Sequence, residues 1–398
     1  MSITVPSKMT TPAPRHRASG ERPPFERIAL LLQGGGALGA YQGGVYQALA
    51  EADLHPDWVA GISIGAINAA LIAGNAPENR VAKLRLFWET ISEPPLGMSL
   101  FGAMPIRNDG IHKAVNQTRA LNTLLFGAPG FFTPRLLPPF LHPSASAGAL
   151  SFYDVTPLSV TLERLVDFDR INAREMHFSV GAVNVRTGNL RYFDNFDKLT
   201  YKITPAHILA SGSLPPGFPA AEIEGEHYWD GGLVSNTPLD WVLDSWPRKD
   251  TLAFQVDLWN ARGDMPGDLT ESEIRQKEIR FSSRTRASTT KFKKAQILRR
   301  AAARLLAAIP DELKAMPEAR MLEEEADEKV FNIVHLIYRA RKYEGTSKDF
   351  EFSRLTMEEH WASGYNDAVD TLRHEKVLQR PAGMDGVFVF DHAHPERK

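Results

Sequence analysis

Cysteine is absent from the 398 residues, which removes disulfides, thiol nucleophiles and thiolate metal sites from consideration and suits a reducing, cytoplasmic setting. No run of about 18 apolar residues occurs, so no membrane-spanning helix is expected. Charge of either sign is not in excess: 46 Lys and Arg stand against 48 Asp and Glu, a formal net charge of -2. That balance offers no global attraction to nucleic acid, and no nucleic-acid partner is expected. Internal repeats and metal-spaced clusters of ligating residues are also missing. The first residues hold Pro, Ser, Thr, Arg and Gly without the apolar core of a signal peptide, which predicts a disordered tail over 1–25 and no Sec-type export. The length is enough for one large core and a second, smaller layer.

What the chain does contain is a strand, a tight turn and a helix in immediate succession from Asp57 to Asn68. Within it, Gly61-Ile62-Ser63-Ile64-Gly65 has the form of a nucleophile elbow, whose glycines let two backbones pass closely while the serine hydroxyl stands at a helix N-terminus. Such a helix end offers free N–H groups and a partial positive charge to an oxyanion. Upstream, Ile28 to Leu32 reads as a buried strand, Gly34-Gly35-Gly36 as a turn, and Leu38, Tyr41, Val45, Ala48 and Leu49 recur at helical spacing. Two parallel strand–helix units would place both turns at one sheet edge, with the glycine N–H groups beside Ser63. A second reading of Gly34-x-Gly36-x-x-Gly39 is a dinucleotide fingerprint, although no acidic residue closes a following strand at the required offset.

Further along, Ala66–Ala73 and Arg80–Ile91 read as helices, after which the stretch Glu93–Leu150 is rich in Pro, Gly and Phe. It is read either as an apolar cap over a site or as a surface insertion. Regular patterning resumes with a helix over Leu158–Val166, a hairpin built from His177–Val185 and Leu190–Phe193, and a helix over Pro205–Ala210. The Pro- and Gly-dense run Ser211–Pro219 then predicts a rigid, specifically shaped loop. Asp230-Gly231-Gly232 follows a short apolar segment; it is either an aspartate able to approach another loop closely or a plain hairpin turn.

In order and spacing, the glycine triplet, the Gly61–Gly65 elbow, the Ser211–Pro219 loop and Asp230-Gly231-Gly232 resemble the patatin-like phospholipases over about Arg27–Leu258. The resemblance implies a three-layer α/β/α fold with a mostly parallel central sheet, and a Ser-Asp dyad that hydrolyses lipid acyl esters without histidine, metal or organic cofactor. Residue by residue it implies Ser63 as nucleophile and Asp230 as general base. Gly34, Gly35, Gly36 and the Ile64 N–H would form the oxyanion site, and Gly61, Gly65, Gly231 and Gly232 would complete the motifs. One position departs: many relatives carry Arg or Lys two residues after the triplet, where this chain has Leu38. Alternatives are a non-phospholipid ester or polyester hydrolase on the same dyad, or a catalytically silent lipid-binding protein. An α/β-hydrolase would draw on His335, His360, His374 or His392, but that fold places several strands before its nucleophile and only one candidate lies ahead of the elbow strand here.

The expected division is a catalytic domain over 26–260 and a C-terminal extension over 261–398 that packs on it, the latter resembling the extension of a bacterial subgroup. In it, Glu271–Leu306 reads as one or two basic helices, either docking peripherally on the anionic inner face of the membrane or packing on the catalytic layer and balanced by acids at Glu318–Glu328. Val330–Tyr338 and Val387–Phe390 read as strands, and Thr356–Leu372 as a helix. Asp349, Glu351 and Arg354 are read as structural ion-pair partners. The expected partner is a lipid or other acyl ester; the oligomeric state stays open.

Overall fold

The computed structural model describes residues 22–94, 109–144, 146–197, 201–341 and 344–392. The expected N-terminal tail lies, up to position 21, outside the described residues, as do positions 95–108 and 145 of the Glu93–Leu150 segment. The strands are β1 (Arg27–Leu32), β2 (Trp58–Ile62), β3 (Thr133–Pro134), β4 (Tyr153–Asp154), β5 (His177–Asn184), β6 (Leu190–Asp194), β7 (Ala221–Ile223), β8 (Glu226–Asp230), β9 (Thr251–Asp257), β10 (Phe331–Ile337) and β11 (Val387–Asp391). β3 and β4 pair with each other; the rest form one nine-stranded sheet in the order β11-β10-β9-β1-β2-β5-β8-β7, with β6 also on β5. From β11 to β5 every neighbour is parallel.

Strand periodicity sorts the apolar residues onto two faces. In β1, Ile28, Leu30 and Leu32 enter one core with α1 (Ala40–Glu51) and α2 (Ile64–Ala73). Ala29 and Leu31 enter the other, with Leu239, Val242 and Leu243 from a short helix and Phe292 from the Thr285–Ala308 helix. Helices thus cover both faces of a mostly parallel sheet, the three-layer α/β/α architecture.

Beyond Asn260 the chain supplies β10 and β11 to the sheet itself. Its Arg354–Leu372 helix packs on α1 so closely that a Cβ at Gly44 would overlap the Trp361 carbonyl and one at Gly364 the Tyr41 carbonyl. The basic segment forms two helices, Leu269–Phe281 and Thr285–Ala308, broken where Ser283 and Arg284 both take φ 49°. Several of its cations are committed internally: Arg286 to Asp391 at 2.7 Å, Lys293 to Asp385 at 2.7 Å and Arg299 to Asp244 at 3.2 Å. Among the described residues no helix is long and apolar enough to cross a membrane.

Candidate active site

Two strands meeting head-on along one edge of β5 bring the candidate nucleophile and base together. β2 runs parallel to β5 and ends with Ile62 opposite Gly181; β8 runs antiparallel and ends with Asp230 opposite Ala182. The residue after Ile62 therefore arrives where β8 stops, and Ser63 faces Asp230 despite their distance in the chain. At the turn Ser63 takes φ 56° and ψ -124°, a conformation costly for a residue with a side chain and held here by its surroundings. A Cβ on Gly61 would overlap the Gly65 carbonyl, and one on Gly65 the Leu32 carbonyl. Both glycines are thus required by backbone packing. The Ser63 N–H donates to Ser211 Oγ at 3.0 Å, and that hydroxyl donates to the Gly181 carbonyl at 2.7 Å, which ties the elbow to β5.

The glycine loop is clamped from below. Trp259 Nε1 and Asn236 Nδ2 each donate to the Gly34 carbonyl at 2.9 Å, and Gln33 Oε1 accepts from the N–H groups of Leu258 and Trp259 at 2.7 and 3.0 Å. Gln42 Nε2 donates to the Gln33 carbonyl at 2.7 Å, and Gln42 Oε1 accepts from Asn68 Nδ2 at 2.9 Å. The Asp349 carbonyl accepts from the Ala37 N–H at 2.8 Å and occupies the space a Cβ at Gly36, whose φ is 56°, would need. The space left by each missing side chain is filled by this chain's own atoms: Asn236 and Ser63 at Gly34, Leu258 at Gly35, Asp349 at Gly36. Gly34 N–H is engaged by the Asn236 carbonyl at 3.3 Å, whereas among the described residues the N–H groups of Gly35, Gly36 and Ile64 meet no hydrogen-bond acceptor. All three residues line the same cavity as Ser63.

Asp230 is 3% exposed. Burial pushes its pKa up to about 6, against the opposing pull of hydrogen bonds from Ser63 and the Gly232 N–H. The Gly232 bond is well formed at 2.7 Å, with Gly231 packed where a Cβ would crowd the Gly181 carbonyl. The Ser63 hydroxyl acts on the same carboxyl.

Both residues sit on the floor of a cavity of about 300 Å³ whose walls are largely apolar and aromatic, including Phe131, Phe132, Tyr153, Phe218 and Phe352. Part of the Glu93–Leu150 segment contributes to it through Leu124, Phe131 and Phe132. No histidine is among the described lining residues. Buried His335 meets Thr289 at 3.1 Å, with its pKa lowered by burial to about 4. His360 lies 3.5 Å from Glu344, His374 packs on Phe390, and His392 meets Thr371 at 3.1 Å. Asp349 pairs with Lys277 at 2.5 Å and also reaches the cavity wall. Among the described residues, no group of three or more His, Asp or Glu is placed to hold a metal ion.

Ser211, Asn236, Gln33 and the Asp349 carbonyl were not singled out as site-supporting residues in the sequence. Asn236 left the clearest trace, a polar residue shortly after Asp230-Gly231-Gly232 that the fold buries.

Comparison with curated proteins finds no match. Among solved structures, the crystal structure of VipD from Legionella pneumophila is similar at 14% identity, covering 87% of this chain and 67% of that one with a TM-score of 0.37. A family model described as patatin phospholipase matches residues 279–384. Another, described as patatin-like phospholipase, matches residues 30–243, more than half of the chain, and so takes in the glycine loop, the elbow and Asp230: the chain belongs to the patatin-like phospholipase family.

Proposed function

We infer that the protein is a serine lipid acyl hydrolase working through Ser63 and Asp230. The observation that carries this reading is the meeting of a strained serine turn and a buried carboxylate beneath an apolar cavity. A serine hydroxyl is a weak nucleophile at neutral pH unless a positioned base takes its proton. Asp230, ionised above a pKa of about 6, is placed to do so as Ser63 Oγ attacks the ester carbonyl. The tetrahedral oxyanion is received by the N–H groups of Gly35, Gly36 and Ile64. Collapse expels the alcohol, which takes the proton from Asp230; water, deprotonated by the same carboxylate, then attacks the acyl carbonyl, and Asp230 returns that proton to Ser63 Oγ as the acyl–Oγ bond breaks and the fatty acid leaves.

The lining favours an acyl ester without an anionic head group. The side chains charged at neutral pH among the described lining residues are both carboxylates, Asp230 and Asp349, and Leu38 is fully buried where a cation would otherwise stand. Neutral glycerides and simple esters should therefore be hydrolysed faster than phosphatidylglycerol. Ser63→Ala and Asp230→Asn should each lower p-nitrophenyl ester hydrolysis by about two orders of magnitude or more. Labelling by a fluorophosphonate should disappear in Ser63→Ala. Full activity in either variant would sink the assignment.

A further inference from the structure

Between positions 121 and 152, Arg135 is the sole Lys, Arg, Asp or Glu, and its guanidinium is held by Ser151 at 3.1–3.2 Å. Over this span large apolar side chains stand in solvent. Leu125 and Phe126 do so at the end of the Asp109–Phe126 helix, and Leu136, Leu137, Phe140 and Leu141 in the loop beyond, with Leu136 98% and Phe140 80% exposed. Scattered apolar residues on a surface need no explanation; a concentration of them next to a cavity does.

The backbone beneath is anchored rather than loose. β3 pairs with β4, the Phe152 N–H donates to the Pro216 carbonyl at 3.2 Å, and the Tyr153 N–H to the Gly217 carbonyl at 3.0 Å. Tyr153 Oη donates to the Leu124 carbonyl at 2.9 Å. The flap is thus fixed to the loop that forms one cavity wall. Immediately inside it, Leu124, Phe131 and Phe132 line the cavity that ends at Ser63.

We propose that this flap is the docking face of the protein and that its partner is the surface of a lipid bilayer carrying no net charge. The occupant follows from charge and continuity. A flap whose one charged side chain among positions 121–152 is the Arg135 guanidinium, tied down by Ser151, has little to select anionic lipid, and an apolar path from the flap to Ser63 lets an acyl chain pass from bilayer to cavity without crossing water. The basic helix over Thr285–Ala308 is the competing surface, but Arg286, Lys293 and Arg299 are paired within the molecule. The purpose of docking rests on the hydrolase reading; the docking itself does not.

The test is vesicle sedimentation of the full chain carrying Ser63→Ala, so that binding is read whether or not the protein hydrolyses lipid. The protein should pellet with phosphatidylcholine vesicles, with little change on adding phosphatidylglycerol or salt. Combining Leu136→Ser, Leu137→Ser, Phe140→Ser and Leu141→Ser should weaken partitioning by about tenfold or more at an unchanged melting temperature. Combining Arg284→Glu, Lys291→Glu and Lys294→Glu, all exposed, should leave it unchanged. Failure to pellet with phosphatidylcholine overturns the proposal. So does binding that requires phosphatidylglycerol and is screened by salt, which would assign docking to the basic helix. A dimer that the fourfold variant dissociates, without vesicle binding, would assign the face to a second copy and equally overturn it. Should the fourfold variant not fold, Leu136→Trp reads the same contact: a blue shift of emission on adding phosphatidylcholine vesicles supports docking, and an unshifted spectrum overturns it.

Discussion

The floor of the cavity and the flap beside it are built on opposite terms. On the floor, backbone meets backbone: Gly61, Gly65, Gly36 and Gly231 each leave no room for a Cβ, and Gln33, Asn236 and Ser211 spend their polar atoms holding main chain in place. On the flap, Leu136, Phe140 and their neighbours stand in solvent. The difference shows where the molecule needs geometry and where it needs only character: a strained serine must be positioned by many contacts at once, while a greasy surface works without register.

That contrast can be broken or sharpened by substitution. The largest effect on stability is expected at Gly65→Ala, where the new methyl meets the Leu32 and Gln33 carbonyls and neither backbone can yield; a loss of about 3 kcal/mol or more should appear in urea unfolding, together with loss of ester hydrolysis. A smaller effect of opposite sign is expected at Asp230. Its folded pKa of about 6 lies above the 3.8 of an ordinary Asp, so the native state holds the proton more tightly than the unfolded chain. The associated stability is full below about 3.8 and lost as pH rises through about 6. At neutral pH Asp230→Asn should therefore raise the melting temperature by roughly 2–5 °C while abolishing activity. In the wild type, hydrolysis should fall away on the acid side of about pH 6, and an acid limb far from that value would remove Asp230 as base. The smallest effect belongs to the flap: Leu136→Ser or Phe140→Ser should change unfolding free energy by no more than about 0.5 kcal/mol, and a larger loss would mean these side chains are packed.

Much of the floor was legible in advance because it is local. Apolar runs bounded by glycine marked β1 and β2, and alternation with a glycine turn marked the β5–β6 hairpin. Gly61 to Gly65 spelled a turn whose stereochemistry leaves few alternatives. Boundaries drifted, as where the helix read over Arg80–Ile91 starts at Pro77, a proline opening the first turn. Less legible was whatever depends on partners far along the chain. In sequence the basic segment is read either as docking on a membrane or as packed and balanced by acids at Glu318–Glu328; Glu325 does lie 3.5 Å from Arg299, but the remote Asp385, Asp391 and Asp244 are what folding sets against Lys293, Arg286 and Arg299. Likewise the Asp349 side chain was read as an ion-pair partner, which its contact with Lys277 supports, while the part its carbonyl plays beneath the glycine loop follows from tertiary contact alone.

The contact between that carbonyl and the loop ties two distant moments of biosynthesis. Residues 34–36 are made long before the support that shapes Gly36 and receives the Ala37 N–H, which comes from position 349. A polypeptide that carries Ser63 and Asp230 but not position 349 lacks the support beneath Gly36, so the glycine loop takes its final shape only when a far later stretch of chain folds against it.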